Sequence, residues 1–296
     1  MKTAGKSEHA AAPAAKKKSQ LQEVWGRFKK NRLALFGMVL ILLMILMVIL
    51  SPLIAPYGFD EQNYYEIFAS PSLQHLCGTD NLGRDVFSRL LYGGRVSLTI
   101  GIISVGIGLL CGGLMGALAG YYGGKLDNTL MRIIDILMAI PSVILAISIC
   151  AALGPGLVNT MIAVGVASIP NYARILRSSI LSIKQQEYVE AARAIGASNA
   201  RIISKHIVPN SLSGLIVQAS MGVGRAIISA ASMSFIGLGI APPNPEWGAM
   251  LSAGRTYFRD YPHMVLFPGI AIFLAVLSMN LIGDGLRDAL DPRLKR

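Results

Sequence analysis

The 296-residue chain is 53% hydrophobic and only 15% charged. Soluble domains carry roughly 25% charged residues, so this composition excludes an ordinary soluble domain and indicates an integral membrane protein. The net charge of +11 does not point to nucleic acid, because the basic residues gather between long uncharged runs.

Residues 1–32 form a tail. Its Ala- and Lys-rich beginning, to about residue 20, predicts disorder. Residues 21–32 predict an amphipathic surface helix, with Trp25 and Phe28 toward lipid and Arg27, Lys29 and Lys30 toward headgroups. The first span is residues 33–54. No charge occurs from Leu33 to Phe59, a run too long and too late for a cleaved leader.

Residues 55–95 are polar and read as a folded extracytoplasmic cap. Asp80 and Asp85 are placed to cap a helix or pair with Arg84 and Arg89, and no phosphate-loop lysine is present.

Residues 96–284 hold five further spans. In the second, residues 96–122, Gly112 and Gly116 make a small face for close helix packing. The uncharged run from Ile136 to Tyr172 is too long for one helix. Gly154-Pro155-Gly156 divides it into a third span at 130–153 and a fourth at 157–171. Arg132 and Asp135 are spaced to pair locally. The fifth span is 212–238. After it, Pro242, Pro243 and Pro245 forbid helix, and Trp247 is expected as an interface anchor. The sixth span is 263–282, and residues 285–296 are a short charged tail. Three cysteines show neither metal spacing nor a disulfide framework; Cys111 and Cys150 are expected to pack in apolar runs.

One polar, basic stretch stands out between the fourth and fifth spans, at residues 186–210. It reads as helix, glycine, helix, proline. The first helix ends at Gly196, Ser198 caps the second, and the second stops before Pro209. Ala191, Ala192 and Ala194 keep one surface small enough for another protein to approach.

With the N-terminus in the cytoplasm and six crossings, 21 of the 27 Lys and Arg residues fall on the cytoplasmic side and five outside. The remaining one is Arg225, within the fifth span. This strong bias puts both termini and the 186–210 loop in the cytoplasm.

The triplet Glu190-Ala191-Ala192, with Gly196 and Ile207-Val208-Pro209, resembles the EAA loop of membrane permeases in ABC importers. HLCGTDNLGRDVFSRLLYGGR, GIAPPNPEWGAML and GDGLRDALDPRLKR resemble segments of the dipeptide, oligopeptide and nickel importer family, nearest the second permease subunit of dipeptide importers. One departure is Val208, where the family commonly has Leu. The resemblance implies an all-α membrane protein with six transmembrane helices and the type I ABC importer permease fold, a core of five helices plus an added N-terminal helix. It also implies coupling through Glu190, Ala191, Ala192, Gly196, Ile207 and Pro209. Implied partners are a second permease, two cytoplasmic ATPases that hold ATP and Mg2+, and an extracytoplasmic binding protein, in the bacterial inner membrane.

The leading expectation is a transport subunit for dipeptides or short peptides, without ATP hydrolysis or cofactor of its own. Glutathione, nickel or another small solute is the alternative within the family. An ion-coupled secondary transporter is the alternative of a different class; no clear internal repeat or mid-span acidic residue favours it. An intramembrane enzyme lacks a His-Glu metal motif or paired carboxylates in the spans. Arg225 is the candidate pathway residue. A charge at that depth must face protein or water. It either pairs within the complex or attracts a peptide carboxylate.

Overall fold

A computed structural model describes residues 20–290. The predicted disordered tail to residue 19 and residues 291–296 lie outside that range. Among the described residues the architecture is all-helical, and the one β-type contact is an isolated bridge between Thr79 and Asp85.

Helix α1 (Gln20–Phe28) is followed by α2 (Arg32–Ile49), whose first turn is capped by the Asn31 side chain on Ala34 N–H at 3.1 Å. Phe28 does not face lipid. It is buried with Ala34 and Ala289, so it pins α1 to the bundle, while Trp25 stays 46% exposed. The predicted first span breaks at Leu50, and α3 (Ser51–Ile54) restarts with Pro52 in its first turn, where the missing N–H has no partner to lose.

Residues 55–85 fold into a cap. Asp80 holds Arg84 at 2.7 Å and Arg89 at 3.6 Å. Asp85 caps α4 (Val86–Tyr122) by accepting from Ser88 N–H at 2.7 Å. That cap starts α4 ten residues earlier than the apolar run alone suggests. His75 lies between Asp85 (2.9 Å) and Glu66 (3.2 Å) and stacks on Tyr57. The cap is fastened to the last helix, α12 (His263–Leu290), where His263 meets the Thr79 carbonyl at 3.0 Å.

The centre of the bundle is α4 against α7 (Leu157–Lys184). Cβ atoms on Gly108, Gly112 or Gly116 would overlap Ser168, Ile169 and Ala173 of α7, so only glycine permits this approach. The expected small face is therefore the core seam. At about 42 Å, α7 is long enough to span, and its second half carries Arg174, Arg177 and Lys184 out of the apolar region.

The predicted third span is two helices, α5 (Gly124–Met138) and α6 (Ser142–Leu153), bent by 86°. Pro141 lacks the N–H needed to continue α5 and turns the chain. Asp135 pairs with Arg174 of α7 at 2.6 Å rather than with Arg132. Among the described residues four helices are long and apolar enough to cross a membrane, or five if the bent pair is one broken span. Helix α7 has the length to cross but a more polar composition than these.

Two further expectations change. Trp247, in α11 (Trp247–Gly254), is only 2% exposed and donates to the Leu90 carbonyl at 3.0 Å. It is a core residue, held under the buried Glu246, whose carboxylate caps α11 on Gly248 and Ala249 and accepts from Ser97. Cys111 is exposed, whereas Cys77 and Cys150 are buried.

Candidate functional site

The 186–210 loop begins with α8 (Glu187–Ala194). Good helix formers make it, and a Schellman turn ends it. Gly196 has φ +81°, its N–H reaches the Arg193 carbonyl at 3.0 Å, and Ala197 N–H reaches Ala192 at 3.0 Å. A Cβ on Gly196 would meet nothing within 4 Å, so the backbone angle alone requires glycine. Ser198 then caps α9 (Asn199–Ile202).

Here the structure corrects the sequence reading. The second helix does not stop before Pro209. It passes through a π-helical turn, Ile203–Ile207, into α10 (Val208–Phe235), making a continuous run of 37 residues. Pro209 lies just past the π turn, and that wider turn gives its ring room and absorbs the hydrogen bond its missing N–H cannot make. The proline thus marks a change of helical register.

The loop has two faces. Val189, Ala192, Ile202 and Ile207 are buried in the main apolar core. Glu190, Ala191, Gly196 and Pro209 are exposed. Beside them Ile195 is 85% exposed and Tyr188 44%. The six predicted residues therefore divide: Ala192 and Ile207 fix the loop to the bundle, and the other four lie on its free surface.

The residue leading into the loop and one at its middle are tied to the end of α4. Lys184 donates to the Tyr121 carbonyl at 2.6 Å, and the Tyr121 hydroxyl donates to Asn199 at 2.7 Å. Just above, Arg177 grips Asp127 with two bonds of 2.6 and 2.7 Å, joining α7 to α5. These ties were not legible in the sequence, because the partners come from separate helices. The arrangement is a short helix held rigidly on a bundle with an exposed edge of small, apolar and acidic residues.

Arg225 lies apart from this loop, on α10. It is exposed in the single chain, and its guanidinium donates to Gln218 at 2.9 Å. It lines a recess of about 90 Å³ between α6, α7 and α10, with Ser142, Ser168, Asn171, Tyr172 and Ser229.

The model of the "binding-protein-dependent transport system inner membrane component" family matches residues 112–296, and that of the "N-terminal TM domain of oligopeptide transport permease C" matches residues 19–71. The chain belongs to this inner membrane component family. The dipeptide transport system permease protein DppC of Alkalihalophilus pseudofirmus is 46% identical over 277 residues, covering 94% of this chain and 91% of the relative. The glutathione transport system permease protein GsiD of Escherichia coli O157:H7 is 49% identical over 276 residues, covering 92% and 90%. A solved structure of the MetNI methionine ABC transporter aligns with TM-score 0.58 over 69% of this chain and 96% of that one, at 22% identity. An amino acid ABC transporter aligns with TM-score 0.55 at 16% identity, over 68% and 94%. Those two likenesses give the fold, which is that of a type I ABC importer permease.

Proposed function

We propose that this family member is a transmembrane subunit of an ATP-driven importer of dipeptides or other short peptides. It forms the pathway together with a second permease. Two cytoplasmic ATPases, holding ATP and Mg2+, supply the energy, and an extracytoplasmic binding protein delivers the solute. Both termini and the 186–210 loop are cytoplasmic, and residues 55–95 lie outside, a placement supported by the distribution of basic residues.

The observation that carries this reading is the two-faced loop. Val189, Ala192, Ile202 and Ile207 lock it into the core, so a push on its exposed edge is transmitted to α7 and α10 without slack. Glu190, Ala191, Gly196 and Pro209 present that edge to the ATPase. ATP-driven closure of the ATPases moves the loops and swings the two permease bundles between inward and outward access. The 46% identity to a dipeptide permease supports the peptide reading. Glutathione, itself a γ-linked tripeptide, is the second reading, and the 49% identity to glutathione permeases favours it.

Purification through a tag on this chain tests the assignment. The expected result is recovery of two ATPase subunits and a second permease, with ATP-dependent peptide uptake after reconstitution. A chain that purifies alone and takes up solute on an ion gradient would overturn it.

A further inference from the structure

The recess around Arg225 carries a more specific assignment, which rests on the pathway-forming reading above. We propose that it is a carboxylate site that receives the free C-terminal carboxylate of a passing short peptide.

The first observation is the state of Arg225. Its recorded polar contact is with the neutral amide of Gln218, and no described residue forms an ion pair with it. A guanidinium has five N–H donors in a planar fork. Gln218 occupies one end and sets the plane, leaving the remaining donors for an anion.

The second observation is Tyr172. It is 3% exposed and lines the same recess, yet its hydroxyl makes no hydrogen bond to a described residue. The ring is buried but the hydroxyl oxygen opens on the recess, so it is free to donate to a ligand placed there. The third is Gly222, one turn before Arg225. A Cβ there would overlap the Tyr172 hydroxyl, so glycine is what lets the hydroxyl reach this position.

Charge then selects the ligand group. Among the described residues the lining contains no Asp or Glu, while Ser142, Ser168, Asn171 and Ser229 add neutral polar groups. A peptide's ammonium end is repelled by Arg225. Bidentate bonding from Arg225 and one bond from Tyr172 match the acceptor geometry of that group. Gln218 is a positioning residue, acting through Arg225.

The test uses the complete importer in proteoliposomes with its binding protein. The probe is a mixture of di- to tetrapeptides, half with free C-termini and half C-terminally amidated, with uptake read by mass spectrometry. Each variant's acid-to-amide uptake ratio is divided by the wild-type ratio, which cancels the binding protein's own preference. The expected result for Arg225→Gln is a fall in the ratio of roughly tenfold, the loss of a charge-assisted contact. Arg225→Lys is expected between wild type and Arg225→Gln. Tyr172→Phe and Gln218→Leu are expected to lower the ratio less. An unchanged ratio in Arg225→Gln and Tyr172→Phe complexes that keep their ATPases overturns the carboxylate site. If Arg225→Gln does not assemble, Tyr172→Phe decides: a lowered ratio supports the site and an unchanged one overturns it. A wild-type complex that takes up neither peptide form with ATP overturns the peptide-import reading on which the site rests, a result distinct from the others.

Discussion

Val189→Ala separates the two faces of the coupling loop. Val189 is fully buried in the main core and is the apolar anchor of α8. Truncation removes two methylene equivalents, about 1.6 kcal/mol of burial, and the small cavity left behind brings the total to about 2–3 kcal/mol. That shifts the docked-to-undocked balance of α8 by roughly 30- to 150-fold. The expected consequences are faster hydrogen exchange in α8 amides and fewer peptides imported per ATP hydrolysed, with membrane insertion intact. Ala191→Val is the control: it adds bulk to the exposed edge, so it should weaken ATPase attachment and leave α8 exchange unchanged. Wild-type exchange and wild-type stoichiometry in Val189→Ala would refute the rigid-anchor account.

Other outcomes follow from the same structure. Gly116→Val drives side-chain atoms into Ala173 of α7, and overpacking at this seam should cost about 1–3 kcal/mol, read as a lower melting temperature of the complex. The Cys77 thiol is pushed up to about 11 by burial and then by the Asp85 charge, so a maleimide at pH 7.5 should leave it unmodified until the cap is unfolded. For His75, burial works against the charged form, but hydrogen bonds and charge from Asp85 and Glu66 outweigh it and raise the pKa above 6.5. The cap's stability should therefore be fullest below pH 6.5 and decline as pH rises through the raised value, and limited proteolysis at pH 5.5 and 8 should lose this difference in His75→Gln. In a background without Cys77, Cys111 and Cys150, an impermeant thiol reagent added outside should label Leu73→Cys and spare Ser182→Cys; the reverse pattern would invert the topology.

Much of the fold is legible in the sequence because bilayer thickness and uncharged length constrain each other. Gly112 and Gly116 are read correctly for the same kind of reason: only small residues let helices meet so closely. Direction is harder to read. Pro141 is visible in the chain, yet hydropathy cannot say that α5 and α6 meet at 86°. Pairing across helices is harder still. Asp135 has Arg132 at helical spacing, but Arg174 arrives from α7 and takes it. Trp247 looks like an interface anchor until Leu90 and the Glu246–Ser97 cluster bury it. Phe28 has the same history with Ala34 and Ala289. At the candidate site, Gly196 and Ser198 are readable because turn and cap chemistry is local. The roles of Tyr121, Lys184 and Tyr172 are not, since each depends on a partner from another helix.

The most direct test of coupling is to place a photo-reactive amino acid at Ile195, which is 85% exposed at the edge of the loop. Irradiation of cells that express the whole importer should join this chain to an ATP-binding subunit, and the yield should change when ATP hydrolysis is blocked. An adduct with an extracytoplasmic protein, or none with an ATPase in a complex that still transports, would contradict the account.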